Sequence, residues 1–345
     1  MIEALALVLA LGSPSLHTLP VPPPPIVAFP DRPPPELIAA SWMIWAVDEA
    51  APLGSRDPDR PRPPASITKL MTAMIVEERA DPGAVTTISA NADATPIGFQ
   101  GQPDVRQGEQ WLVEELFANI LVQSGNDAAV ALAEHVGGTV DAFVALMNEK
   151  VAALGMEDTT FLNPNGLDAD GHVSTARDLI KMGVAALDYP LIMRTARIKH
   201  IDFRPPPSGR LIEVDATNRL LGVFPEYLGL KTGDTLAAGQ VLLSYVRGPQ
   251  ERLVAVVLAS TQRRIDTREL MAWGVSALGP RDRFFHHAVG TPLEEQFPAW
   301  YVTRMAAAGP LPVPEPRPTP MTPREQQVLE GFRDLLPALL GGSGS

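Results

Sequence analysis

The sequence predicts an α+β fold: one antiparallel sheet built from the two ends of the folded region, with flanking helices and an inserted helical subdomain. Three observations predict it. An apolar strand-like run, Trp42-Met43-Ile44-Trp45-Ala46-Val47, opens the folded region. Strand candidates return after residue 210, over 229–235, 240–246 and 253–260, the last two apolar and bounded by glycine or charge. Between these ends, residues 85–180 read as mostly helical.

Composition sets the outer limits. With 345 residues and 45% hydrophobic content, the chain can bury a large core. A formal charge of −12 argues against a nucleic-acid partner and against unaided attraction to anionic lipid. There are no cysteines, which excludes thiol catalysis, disulfides and cysteine-ligated zinc and is compatible with export. The 36 prolines cluster at both ends. The chain therefore divides into a leader-like run and proline-rich linker over 1–35, a folded domain over 36–283, and a tail over 284–345. The helical subdomain occupies about 85–200.

Taken in order, residues 1–12 form an apolar run too short to span a bilayer. It resembles a signal-peptide core with Glu3 in place of a basic leader, and an extracytoplasmic location is the expectation it supports. Residues 20–35 are a polyproline linker. After the first strand, residues 54–64 form a polar connection into a helix marked by Leu70, Met71, Met74 and Ile75. Residues 85–88 form a short strand. Helices follow over about 109–122, 128–135 and 140–154. Asn163-Pro164-Asn165-Gly166 is a turn, and Thr175-Ala176-Arg177-Asp178 caps another helix. A helix from about 266 to 278 closes the domain. Beyond a second proline-rich linker at 309–323, residues 325–340 form an amphipathic helix interrupted by Pro337. That helix is a candidate for contact with a membrane surface.

Three short motifs carry the chemistry. In Ser66-Ile67-Thr68-Lys69, the hydroxyl and the amine are one helical turn apart and project from one face. A serine hydroxyl needs a neighbouring base to act as nucleophile, and a desolvated lysine near a second cation is neutral enough to be that base. Ser124-Gly125-Asn126 follows, with Ser124 suited to relay a proton to a leaving amine and Asn126 to orient Lys69 and hold a substrate amide. Lys231-Thr232-Gly233 supplies positive charge, a hydroxyl and an open strand edge, suited to a substrate carboxylate and backbone.

The S-x-x-K, S-x-N and K-T-G set in this order marks the β-lactamases and penicillin-binding proteins. The chain resembles the serine D-alanyl-D-alanine carboxypeptidases among the low-molecular-mass penicillin-binding proteins. Supporting stretches are RPPASITKLMTA, LVQSGNDAAVALAEHVGG, FVALMNEKVAALGMEDTTFLNPNGL, GHVSTARDL, ATNRLL and GLKTGDT, over roughly residues 36 to 280. The resemblance implies a β-lactamase/transpeptidase-like fold and removal of the terminal D-Ala from peptidoglycan stem peptides, with β-lactams acylating the enzyme. It implies Ser66, Lys69 and Ser124 as catalytic residues and Asn126, Lys231, Thr232, Gly233 and Arg264 as substrate-binding residues. The oxyanion hole would be the backbone N–H of Ser66 and of Asp234. No metal and no cofactor is expected.

Two departures stand out. Family members usually carry His, Tyr or Phe after Lys-Thr-Gly, and this chain has Asp234. Many also carry a β-rich domain after the catalytic one, which the proline-rich tail does not resemble. The alternatives are a penicillin- or peptidoglycan-binding protein that turns over slowly or not at all, and a class A-like β-lactamase using Glu157 to activate water. A Ser-His-Asp hydrolase is disfavoured because no histidine sits in a nucleophile elbow. His172 reads as structural, and His286-His287 is too isolated for a metal site.

Overall fold

The structure, a computed structural model, describes residues 33–96, 105–223, 226–248 and 252–278. The leader-like run, most of the first proline-rich linker, the end of the folded domain at 279–283, His286-His287 and the tail helix lie outside these residues. In chain order the elements are β1 (Ser41–Ala46), β2 (Ala51–Arg56), a 3-10 turn (Ala65–Ile67), α1 (Thr68–Arg79), β3 (Val85–Thr87), α2 (Ala90–Asp93), β4 (Gln110–Leu112) and α3 (Val113–Val122). Then come α4 (Asn126–Gly137), α5 (Val140–Ala153), α6 (Ala176–Ala186), α7 (Pro190–Thr195), β5 (His200–Phe203), β6 (Ile212–Asp215), β7 (Tyr227–Thr235), β8 (Gly239–Arg247), β9 (Arg252–Ser260) and α8 (Arg263–Leu278).

The main sheet has five antiparallel strands in the order β2-β1-β9-β8-β7. Its first and last segments are thus neighbours, as the sequence predicts. Both faces are covered, which is why β9 reads as an unbroken apolar run. Along it, Val254, Val256 and Leu258 join the core beneath α1 and α6, whereas Leu253, Ala255 and Val257 join a second core beneath α8. The two-residue period sends alternate side chains to opposite faces.

The sequence reading placed a polar connection at 54–64, but its first residues belong to strand β2. That strand carries Pro52 and Gly54, both poor strand formers, and it is tolerated because β2 is the sheet edge. Gly54 lies against the indole rings of Trp42 and Trp273. Two small hairpins flank the helices, β3 with β4 and β5 with β6. β5 begins at His200, earlier than the switch to strand pattern expected after 210. At the opposite edge of the main sheet, β7 has only β8 as a strand partner among the described residues. Its free edge runs past the 3-10 turn that carries Ser66.

Candidate active site

Ser66 sits in the 3-10 turn at the head of α1, where Ile67 N donates to Pro64 O at 3.2 Å. The residue before it, Ala65, has φ +48, an unusual conformation for a side chain with a Cβ. Gly166 holds it there. A Cβ at Gly166 would stand 2.0 Å from the Ala65 carbonyl oxygen, and Gly166 itself has φ +82. The Asn163–Gly166 turn is therefore packed directly against the nucleophile's turn. Asn163 Oδ1 braces it by accepting from Gly166 N at 2.7 Å.

Lys69 is fully buried. Its Nζ lies 2.9 Å from Ser66 Oγ, 2.7 Å from Asn126 Oδ1 and 2.5 Å from the Asn165 carbonyl. An ammonium has three protons and would donate all of them. A neutral amine has two, which go to the two carbonyl oxygens that carry no proton of their own. Its lone pair then faces the Ser66 hydroxyl. Burial lowers the Lys69 pKa to about 7, with Asp127 opposing that shift. Asn126 is oriented in turn, since its Nδ2 donates to Pro96 O at 2.9 Å.

Ser124 lies on the opposite wall with φ +78. The Asn119 carbonyl holds that turn, accepting from Ser124 N at 3.0 Å and from Gln123 N at 3.1 Å. The third wall is β7. A Cβ on Gly233 would fall 2.8 Å from Ser66 N, so only a glycine lets this edge pass so close to the nucleophile. Lys231 is buried, and burial, then Lys69 and Arg263, push its pKa well below the ordinary value. Thr232 Oγ1 lies 2.6 Å from Thr217 Oγ1, so two hydroxyls stand side by side.

These residues line one cleft of about 310 Å³, with Ser66, Ser124, Asn126, Thr217, Thr232, Gly233, Asp234 and Arg263 on its walls and Gly166, Leu167, Asp168, Thr235 and Leu236 toward its rim. Lys69 and Lys231 lie beneath the surface residues. The sequence-predicted residues thus meet in one place, with one correction. The arginine on the cleft is Arg263, not Arg264. Arg263 Nη1 donates to the Gly233 carbonyl at 2.7 Å and lies 3.5 Å from Asp234 Oδ2. Helix α8 starts at Arg263, and a one-residue step rotates a helical side chain by about 100°. The cation beside Asp234 is Arg263. Sequence reasoning also missed Thr217, the Asn165 carbonyl and Asp168. Thr217 lies within ATNRLL and Asn165 within the NPNG turn, whereas Asp168 belongs to neither.

His172 is structural, as its sequence context suggests. It is buried, with Nε2 2.9 Å from Thr68 Oγ1 and Nδ1 accepting from Leu162 N at 3.0 Å. Burial lowers its pKa to about 4, so it stays neutral.

A sequence profile of the S11 peptidases, described as D-alanyl-D-alanine carboxypeptidase, matches residues 29–262. The chain belongs to the D-alanyl-D-alanine carboxypeptidase family. It is 33% identical over 260 residues to the D-alanyl-D-alanine carboxypeptidase DacC of Escherichia coli, a match covering 70% of this chain and 62% of DacC. This member of the family therefore spans about three fifths of the length of that relative. The crystal structure of the carboxypeptidase DacD from Francisella tularensis superposes with a TM-score of 0.65 at 26% identity, covering 71% of this chain and 72% of that one. Penicillin-binding protein D2 of Listeria monocytogenes, in its cefotaxime-bound form, superposes with a TM-score of 0.62 at 28% identity, covering 70% of this chain and 99% of that one. The fold is the β-lactamase/transpeptidase-like fold of these penicillin-binding proteins.

Proposed function

We propose that this chain is a serine acyl-enzyme D-alanyl-D-alanine carboxypeptidase that removes the terminal D-Ala from peptidoglycan stem peptides, and that β-lactams acylate the same serine. The observation that carries this reading is the Lys69 amine, buried and pointed at Ser66 Oγ by two proton-free carbonyl oxygens. In the proposed reaction Ser66 Oγ attacks the carbonyl carbon of the scissile bond and its proton passes to Lys69 Nζ. Negative charge develops on the substrate oxygen, which faces the N–H groups of Ser66 and Asp234. As the C–N bond breaks, Ser124 passes its proton to the leaving amine of D-Ala and is reprotonated from Lys69 Nζ, which returns to the neutral amine. Water then attacks the ester carbonyl, Lys69 takes its proton, and that proton returns to Ser66 Oγ as the ester C–O bond breaks.

The substrate's terminal carboxylate belongs near the Thr217 and Thr232 hydroxyls, over Lys231 and beside Arg263. The rival β-lactamase reading loses support, because Glu157 is exposed on a turn and is not among the residues lining the cleft. The peptidoglycan substrate implies an extracytoplasmic setting, consistent with the leader-like residues 1–12. The amphipathic segment 325–340 is proposed to meet a membrane surface there.

The test is intact-mass analysis after incubation with a D-Ala-D-Ala peptide and with a fluorescent penicillin. A mass shift with penicillin and release of D-Ala from the peptide are expected, and both should vanish in Ser66→Ala. An adduct that persists in Ser66→Ala would sink the assignment. A stable penicillin adduct without D-Ala release would favour a binding protein that does not turn over.

A further inference from the structure

The solvent face of the β5–β6 hairpin carries four polar side chains in a two-by-two array. The register sets His200 opposite Asp215 and Asp202 opposite Glu213. Alternation buries Ile201, Phe203, Ile212 and Val214 and turns these four to the other face. Two carboxylates directly opposite each other destabilise a strand pair, and a lone hairpin has little stability to spare. His200 Nδ1 lies 2.7 Å from Asp215 Oδ1. With a carboxylate accepting there, Nδ1 carries a proton, and Nε2 becomes a ligand when a cation displaces the proton it shares with Asp202. Nε2 is 3.0 Å from Asp202 Oδ1, a buried oxygen whose hydrogen bonding is not satisfied by an aligned donor. Ligand atoms of His200, Asp202 and Glu213 all lie within 4.8 Å of one another.

An imidazole oriented by a carboxylate on its far nitrogen, and facing two further carboxylates, is the donor set of a zinc-type centre. We propose that His200 Nε2, Asp202 and Glu213 bind one divalent first-row cation of the zinc class, with Asp215 orienting the imidazole. The nitrogen donor disfavours magnesium and calcium, which take oxygen ligands. The cation removes the carboxylate repulsion and staples the hairpin. It also acts near the cleft, because β6 runs straight into Ala216, whose N–H donates to the Lys199 carbonyl at 2.8 Å, and then into Thr217. The competing occupant is a proton on Nε2.

The test uses the full chain, stripped with chelator and titrated with Zn²⁺ by calorimetry. Adventitious Zn²⁺ uptake elsewhere on the chain is common to parent and variants, so the difference between them isolates this site. The Asp202→Asn/Glu213→Gln variant should bind one Zn²⁺ fewer per chain. Asp215→Asn should weaken that binding by about 10–100-fold, as loss of an orienting carboxylate does elsewhere. Circular dichroism checks that each variant is folded. In the parent, Zn²⁺ should also slow amide exchange over residues 200–215. Equal Zn²⁺ stoichiometry in parent and double variant, unchanged exchange in the hairpin, or displacement by equimolar Mg²⁺ or Ca²⁺ would overturn the assignment.

Discussion

At the scale of single residues, Lys69 decides the chemistry. Its three neighbours are two carbonyl oxygens and one hydroxyl, so only the hydroxyl can reverse direction and donate. In the proposed reaction the base is therefore the neutral amine. Since burial brings its pKa to about 7, acylation by a β-lactam should rise as pH climbs through that value and then level off. A pH–rate profile that is flat from 5 to 9 would remove Lys69 from this role. Lys69→Ala should slow acylation by about 10²–10⁴-fold, the span of a positioned general base. Asp234 is the second residue whose effect can be argued. Its carboxylate is 46% exposed and shares Arg263 with the Gly233 carbonyl. Asp234→Asn frees the guanidinium for a substrate carboxylate and removes a repelling charge. An exposed ion pair contributes only about 0.2–1 kcal/mol, so turnover of a free-acid peptide should rise by at most about fivefold. The gain should shrink with added salt and be smaller for an amidated peptide. A fall in turnover would mean that the acid assists the reaction.

At the scale of elements, the site depends on one loop pressing on another. Gly166→Ala would put a methyl carbon inside the Ala65 carbonyl oxygen and force a residue with a Cβ into φ +82. Ala65 must then leave its own strained conformation, and Ser66 moves with it. The expected result is a loss of about 1–3 kcal/mol in urea unfolding, together with a drop in acylation larger than the loss of folded protein explains. Wild-type acylation in a destabilised variant would separate the loop from the nucleophile. Element boundaries also mark where the sequence was readable. Strands β1, β8 and β9 were legible because buried runs of Val, Leu, Ile and Trp have few other uses. Two of the three motifs were legible because they sit at helix starts, where spacing translates directly into position, and Lys231-Thr232-Gly233 marked β7 itself. Strand β2 was not, because a proline and a glycine are allowed only by its edge position, and edges are a tertiary fact. Arg263 was not, because the start of α8 is uncertain by a few residues from sequence, and each residue turns the face. The His200 cluster was invisible for a similar reason. Its ligands alternate along two strands whose register no local pattern announces.

At the scale of the whole molecule, the family match spans the five-stranded sheet and the helices before α8. The proline-rich stretch from 309 to 323 then reads as a separable connection. A chain ending at Ala308 should fold with an unchanged melting temperature and still take up fluorescent penicillin at Ser66. Unfolding or aggregation of that shortened chain would assign residues 309–345 to the core.

Strand β1 lies between β2 and β9, and its register pairs Met43 with Val256. One whole hydrogen-bonding edge of an early strand therefore waits for a segment made some two hundred residues later. At about 5–20 residues per second, the ribosome needs roughly 10–40 s to supply it. Throughout that interval the sheet cannot close, however well the intervening helices form. A polypeptide that cannot lock its central layer until its far end emerges stays threadable for most of its synthesis. Such a chain becomes a rigid body only late, once β9 is available to pair with β1.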